Sequence, residues 1–174
     1  MRVTRLVGFL PLAIAVLDGV AYGEEVTKRL ENDEPLGFRL GTLAGVSEQP
    51  TEIAVGVRYD LMNLARQSKL AVDITFGAKP RGATIEPMIG VRFPLSVSGA
   101  PKVRPYLGAF AGYNLSWDNG VGRAAIPFRL ATGATYDIRP HFGVGLDLAV
   151  EVGPALAPST GTYAAVQVAA GIAW

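Results

Sequence analysis

Apolar and small or polar residues alternate without interruption from His141 to Gly153, in the segment HFGVGLDLAVEVG. Every second residue from Phe142 to Val152 is large and apolar, whereas the positions between them hold glycine, alanine and two carboxylates, Asp147 and Glu151. Successive side chains of a strand point to opposite faces, so this segment predicts a strand with one wholly apolar face. The opposite face lacks the long polar side chains that a strand usually turns towards water. The pattern therefore indicates a strand with lipid on its outside and a crowded, polar barrel lumen on its inside.

Seven other segments of the chain repeat this alternation, and turn-like sequences separate them. The outward apolar positions of these segments fall in 38–44, 53–61, 70–76, 85–93, 107–113, 128–138 and 164–174. The turn-like sequences are 47–50, 63–69, 79–82, 96–102, 117–121, 139–141 and 154–160. A transmembrane strand needs about 9–11 residues, so residues 36–174 accommodate eight strands without a spare element. The sequence predicts an all-β fold, an eight-stranded antiparallel up-and-down transmembrane barrel.

Three prolines conflict with an uninterrupted pattern, because Pro87, Pro105 and Pro127 fall inside or at the start of predicted strands. Proline has no backbone N–H, and a closed barrel has no free edge at which a missing donor is harmless. We expect bulges or late strand starts at these positions. The fifth strand is the least regular, since Phe110 falls on its predicted lumen face.

Residues 1–23 have the three parts of a secretory signal peptide. Two arginines precede an apolar stretch at 6–17, and the small residues Ala21 and Gly23 fit a cleavage site directly after Gly23. An uncleaved membrane anchor is the alternative, but twelve apolar residues interrupted by Pro11 are too few to span a bilayer. The sequence therefore predicts export, followed by a charged, flexible periplasmic leader at 24–35.

Composition narrows the possible functions further. Hydrophobic residues make up 49% of the chain and charged residues 18%, a balance that excludes a disordered protein. No cysteine is present, so the chain has neither a disulfide nor a thiolate metal site. Two of the 16 basic and one of the 15 acidic residues lie in 1–23, so the remaining chain is electrically balanced. This balance gives no electrostatic footprint for nucleic acid.

The predicted lumen contains a set of charged residues, five arginines and six carboxylates. They are Arg39, Arg58, Asp60, Asp73, Glu86, Arg92, Arg104, Arg129, Asp137, Asp147 and Glu151. Charges removed from bulk water must be paired, since each would otherwise cost several kcal/mol. Counting back from the hairpin turns places Arg58 beside Asp73, and Arg129 beside Glu151. Because eight strands leave an interior only wide enough for side chains, these groups predict a salt-bridged plug. A gated narrow pore is the alternative.

Several motifs resemble the small eight-stranded outer-membrane barrels of the OmpA, OmpX and OmpW type. They are the terminal AGIAW, RPYLGAFAGY at 104–113 and GATYDIRPHFGVGLDL at 133–148, and the resemblance covers 36–174. It implies a protein of the bacterial outer membrane, in contact with lipid and lipopolysaccharide. It also implies that Trp174 is the C-terminal aromatic that the barrel-assembly machinery reads.

Aromatic residues support the same topology when both termini are placed in the periplasm. The outward residues at the periplasmic strand ends are Phe38, Tyr59, Phe93, Tyr136, Phe142 and Trp174. Aromatic side chains at a common level predict an interfacial girdle, with Tyr113 and Trp117 at the opposite rim. The predicted outer loops are no longer than the periplasmic turns, which argues against an adhesin or receptor.

The residues indicate no catalytic, cofactor or metal site. Outer-membrane lipid A deacylases are also eight-stranded barrels and use a His-x-Ser pair, but His141 is followed here by Phe142 and Gly143. We therefore interpret His141 as a turn residue. The sequence predicts a non-enzymatic, monomeric outer-membrane protein of structural or envelope-integrity type. The alternatives are a low-conductance pore for ions or small solutes and a soluble periplasmic, lipocalin-like barrel that binds an apolar ligand.

Overall fold

The computed structural model describes residues 36–45, 51–65, 68–95, 97–158 and 160–174. The predicted signal peptide at 1–23 and the leader at 24–35 lie outside the described residues. Within the described ranges, no helix has the length and hydrophobicity needed to cross a membrane. Regular structure there consists of ten strand segments. They are β1 (Leu36–Gly45), β2 (Glu52–Ala65), β3 (Ser68–Lys79), β4 (Gly82–Pro94), β5 (Val103–Gly112), β6 (Asn114–Asp118), β7 (Val121–Ala125), β8 (Phe128–Arg139), β9 (Phe142–Ala157) and β10 (Gly161–Ala173).

These segments close into one antiparallel barrel of eight strands. Successive strands of the barrel pair with each other, and β1 pairs with β10 to complete the circuit. β5 and β6 continue one another along β4, while β7 and β8 continue one another along β9, so each of these pairs forms a single barrel strand. The fold class and strand number predicted from the alternation are confirmed. We call the end of the barrel that carries Leu36 and Trp174 the terminal end, and the opposite end the far end.

Pro87 interrupts the pairing of β4 with its neighbour without shifting the register. Met88 lies opposite Gly112 and Ile85 lies opposite Leu115, so the β4 register is the same on both sides of Pro87. The break between β5 and β6 lies opposite Pro87, which has no backbone N–H to donate. The bulge expected at Pro87 is therefore wrong.

The other two prolines behave differently from each other. Pro105 pairs with Ala134 in an unshifted register, so the irregularity expected there is also wrong. β8 begins directly after Pro127, as a late strand start requires. Register shifts occur at the end of β2, near Asp137 in β8, and between Ala124 and Ala125 in β7, just before Pro127.

Side chains on the outside and inside of the barrel follow the predicted parity. Outward residues are large and apolar, and Leu130 and Leu146 are 70% and 68% exposed. Inward residues alternate with them, and Arg129 and Glu151 are 1% and 0% exposed. Phe110 is also buried in the lumen, as the irregular fifth strand predicts.

The hairpin between β6 and β7 has a sequence that specifies its turn. Asn119 and Gly120 have φ values of 50° and 80°, and Asp118 pairs with Val121 on either side of them. A two-residue turn with both central residues in the left-handed region matches the twist of the flanking strands, and Asn-Gly adopts it readily. The turn predicted at 117–121 is therefore present but shorter, because the strands run up to Asp118 and from Val121.

Other predicted turns are also too long. β2 runs to Ala65 and β3 begins at Ser68, while β9 continues through Pro154 to Ala157. Pro154 pairs with Thr162 in β10, and its carbonyl accepts a hydrogen bond of 3.0 Å from the N–H of Ile126. A proline carbonyl remains a full acceptor, so proline at the far end of a strand does not end the pairing.

Gly90 allows β4 and β5 to approach closely inside the barrel. A Cβ at this position would overlap the carbonyl oxygen of Ala109 and the ring of Phe110. We predict that Gly90→Ala lowers the free energy of unfolding by about 1–3 kcal/mol through overpacking. Urea unfolding of the refolded barrel measures the change. Gly161→Ala is the control, because a Cβ there meets no atom within 4 Å. Equal stability of the two variants would contradict the close approach.

Candidate functional site: the lumen ion-pair network

The lumen network is positioned by strand parity and register. Residues of one parity on each strand point inward, and the register places Arg58 opposite Asp73 and Arg129 opposite Glu151. Both juxtapositions are those obtained by counting back from the hairpin turns. Side chains that lie directly opposite on neighbouring strands are close enough to pair, so the backbone alone brings these charges together.

Arg129 is the centre of the network. Its Nε donates to Glu151 Oε1 at 2.8 Å, its Nη1 donates to Asp73 Oδ1 at 3.1 Å, and its Nη2 pairs with Glu86. All four side chains are completely buried. A guanidinium group has five N–H donors in a rigid fork, which suits it to bind three carboxylates at once. Through this one residue, β8 is joined to β3, β4 and β9.

Asp73 also binds the guanidinium groups of two further arginines. Arg58 Nε donates to its Oδ2 at 3.2 Å, and Arg39 pairs with its Oδ1. A carboxylate has about four lone-pair sites, so it can accept from three arginines. Asp73 therefore links β1 and β2 to the cluster centred on Arg129.

Neutral side chains complete the hydrogen bonding of the two glutamates. Tyr163 Oη donates to Glu151 Oε2 at 2.9 Å, and Asn114 Nδ2 donates to Glu86 Oε2 at 2.8 Å. Asn114 also donates to Tyr163 Oη at 3.2 Å. Buried ion pairs repay their desolvation only if the remaining polar atoms have partners, and these two side chains supply them.

An aromatic layer lies against the network in the terminal half of the lumen. The Arg58 guanidinium lies 4.6 Å from the ring centroid of Tyr106 and 5.8 Å from that of Phe110. Tyr106 Oη donates to Asp147 at 2.7 Å, and Asp147 also pairs with Arg58 at 3.4 Å. A cation over an aromatic face is stabilised by the ring quadrupole, so Arg58 is held on two sides.

The terminal mouth of the barrel contains further ion pairs. Arg104 pairs with Asp137 at 2.7 Å, and Asp60 pairs with Arg92 and, at 3.7 Å, with Lys69. The Arg104 and Asp137 side chains are 17% and 24% exposed, more than the groups around Arg129. The Arg104–Asp137 pair therefore retains some contact with solvent, and its stabilising effect is correspondingly smaller.

The interior contains a small cavity and a separate far-end pair. The cavity has a volume of about 50 Å³ and lies in the terminal half, beside Arg39, Arg92 and Asp147. At the far end, Glu52 accepts from Lys79 Nζ at 3.0 Å and from Thr84 Oγ1 at 2.9 Å. The fully buried cluster around Arg129 lies between these two regions.

The structure brings all eleven predicted lumen residues into one interior and pairs them with opposite charges. Sequence reasoning missed several other members of the interior, and for the five named next the signal was parity that continues past a predicted strand end. These residues are Glu52, Lys69, Lys79, Asn114 and Tyr163. His141 does not join the network, because it is exposed and has the left-handed φ of 62° of a turn residue.

The described residues contain no cluster of three or more histidine, cysteine or acidic side chains arranged to hold a metal ion. The acidic groups of the lumen instead face guanidinium and ammonium groups. An arrangement of this kind fixes strands relative to one another and fills the space between them.

Comparison with known proteins places the fold. No family model matches the chain, and no curated protein sequence matches it. Among solved structures, it is similar to Neisserial surface protein A, with a TM-score of 0.61 and 12% identity over 79% of this chain and 93% of that one. The N-terminal β-barrel domain of Pseudomonas aeruginosa OprF aligns with a TM-score of 0.46 and 12% identity, over 80% of this chain and 98% of that one. The first similarity confirms the predicted fold of the small outer-membrane barrels.

Removing the central guanidinium group tests the network. We predict that Arg129→Met lowers the free energy of unfolding by about 3–5 kcal/mol, because buried carboxylates lose their counter-charge. Arg104→Met is the matched control at the solvent-facing mouth, with an expected loss of about 1 kcal/mol or less. Urea titration of both refolded variants measures the difference. Equal losses of unfolding free energy in the two variants would contradict a larger stabilising contribution from the buried cluster.

Proposed function

We propose that this chain is an integral outer-membrane barrel with a structural role in the envelope and a lumen closed by its own ion pairs. One observation carries this proposal: large apolar side chains lie on the outside, while charged side chains are buried inside. Monomeric soluble proteins rarely expose a continuous apolar surface of more than a few hundred Å². Here exposed apolar residues extend along every strand of the closed sheet, from Leu40 in β1 to Val168 in β10.

A lipid bilayer is the environment in which this distribution of apolar and charged side chains is favourable. In a bilayer the outward leucines and valines meet hydrocarbon, and the closed sheet leaves no unpaired strand edge. Five of the six predicted girdle aromatics are exposed at the terminal end and the sixth, Phe93, is half-buried; at this level amphipathic rings would meet the headgroups. The predicted signal peptide and the fold shared with Neisserial surface protein A support the outer membrane as the location. Outer-membrane lipid, lipopolysaccharide and the barrel-assembly machinery, through Trp174, are the proposed partners.

A closed lumen agrees best with the geometry around Arg129. Ions crossing the barrel would have to displace a guanidinium group bound to three carboxylates, and eight strands leave no space beside it. A narrow pore is the second candidate, and the cavity beside Arg39 favours it for the terminal half of the lumen. A soluble carrier of an apolar ligand lacks support, since ion pairs occupy the place of the ligand.

A non-enzymatic role belongs to the same proposal. His141, the one histidine, lies exposed in the turn between β8 and β9. Mass spectrometry of lipid A from cells with and without the protein tests this point. An acyl chain lost on expression would overturn it.

Spin labels along β9 test the membrane location. We predict that labels at Leu146, Leu148 and Val150 collide with dissolved oxygen and are shielded from a water-soluble nickel chelate, because they face lipid. A label at Ala149 is the control for the opposite face. Release of the protein from membranes by carbonate without detergent, or chelate access to the three outward labels, would contradict insertion in the bilayer.

Single-channel recording on the refolded protein distinguishes the plug from the pore. We predict a flat baseline without reproducible conductance steps, because the buried cluster closes the lumen. Recording from an equal amount of empty lipid vesicles controls for leakage. Steady steps of constant size would reject the closed lumen and favour the narrow pore.

A further inference from the structure

The cavity in the terminal half of the lumen has an excess of positive charge around it. Its charged lining residues are Arg39, Arg58, Arg92, Asp60 and Asp147. Lys69 adds a further cation, because its Nζ lies 3.7 Å from Asp60 Oδ2. Four cationic side chains therefore face two carboxylates in this part of the lumen. The excess remains when Asp73, the next carboxylate inward, is counted with them.

The guanidinium of Arg39 has a donor that the lining carboxylates leave unsatisfied. Its Nη2 pairs with Asp73, and its Nη1 lies 3.7 Å from Asp147 Oδ2, beyond hydrogen-bond distance. Arg39 is only 6% exposed, yet its Nε has no acceptor among the described residues. Asp147 is already engaged, since it accepts from Tyr106 Oη at 2.7 Å and from Arg58 Nη2 at 3.4 Å. A buried N–H of a cation without an acceptor indicates a place for an acceptor that the chain itself does not supply.

The space beside these groups is large enough for an ion and is reached from one side. Its volume of about 50 Å³ is several times what a single water molecule requires. The Arg104 and Arg92 side chains are partly exposed, that of Arg58 is slightly less exposed, and that of Arg129 is completely buried. Solvent therefore enters the cavity from the terminal mouth and stops at the cluster around Arg129.

We propose that this cavity binds a small monovalent anion such as chloride, which enters from the terminal mouth and accepts a hydrogen bond from Arg39 Nε. An excess of positive charge with low-dielectric walls attracts an anion more strongly than the same charges would in water. The volume restricts the ligand to a halide or an oxyanion of a few atoms. Room remains for water, which can donate to Asp60 Oδ1, a buried acceptor without a donor in the part of the chain that the structure describes. The site rests on the proposed function in one respect, because only a lumen closed at Arg129 makes the cavity a pocket with one entrance.

Chlorine-35 NMR of the barrel refolded in nonionic detergent measures the binding of chloride. We expect line broadening that saturates with the protein sites and that bromide and formate reverse, whereas gluconate, which is too large for the cavity, does not. Arg39→Met should weaken chloride binding by about tenfold or more, because it removes a charged hydrogen-bond donor. Arg139→Met is the matched control and should leave binding unchanged, since Arg139 is exposed at the end of β8, outside the cavity.

Filling the cavity without removing a charge is an independent test. A Cβ at Gly37, which lines the cavity, would meet no atom closer than 3.7 Å, so Gly37→Val can extend into the space without a backbone clash. This variant should lose saturable chloride binding although all four cations remain. Gly161→Val is its control, because a Cβ at Gly161 also meets open space but lies at the far end. An unchanged far-ultraviolet circular dichroism spectrum verifies that each variant is folded.

Three results would overturn the anion site: broadening that does not saturate, binding retained in Gly37→Val, or equal losses in Arg39→Met and Arg139→Met. Anomalous scattering from bromide soaked into crystals of the barrel should give a peak beside Arg39 Nε, and bromide found only on the outer surface would also overturn the site. Single-channel recording separates this inference from the closed lumen. Steady conductance steps with chloride binding intact would overturn the plug alone, whereas a flat baseline without binding would overturn the anion site alone.

Discussion

Charge held inside a closed sheet is the constraint on which this structure depends. The lumen of an eight-stranded barrel is filled by its own side chains, so a charged group there is stabilised by a partner rather than by bulk water. Arg129 meets this requirement by binding three carboxylates, and Asp73 meets it by accepting three guanidinium groups. The apolar exterior and the closed ladder belong to the same arrangement, because with an apolar outside the polar side chains lie in the interior.

Glycine makes room for these large groups. The side chain of Arg39 occupies the space that a Cβ at Gly56 would fill, and Asp147 and Tyr106 occupy the space beside Gly133. The alternation of glycine with charge along the inward faces is therefore a packing requirement. Arg39, for example, lies opposite a glycine on each neighbouring strand, Gly56 on β2 and Gly171 on β10.

Much of the fold follows from the sequence because it depends on a period of two. Parity alone identified the outward face of β9 and the inward position of Arg129, and hairpin counting gave its register against Glu151. Strand ends were harder to predict, because pairing at the far end continues through Pro154, whose carbonyl still accepts a hydrogen bond. The missing members of the network, such as Glu52 and Tyr163, lie on those extended ends. Parity continued past the predicted strand ends places them on the inward face, but contacts across the lumen, such as that of Tyr163 with Glu86, are not specified by a local pattern.

The convergence of three acids on Arg129 also has a consequence for how this sequence can change over time. Loss of the arginine alone leaves three buried anions, and loss of a single acid alters the balance around the cation. The four positions Asp73, Glu86, Arg129 and Glu151 are therefore expected to be inherited as a unit. A homologue that lacks the central arginine must also have replaced the three acids. Natural variation should therefore concentrate on the outward positions, where one apolar residue can replace another.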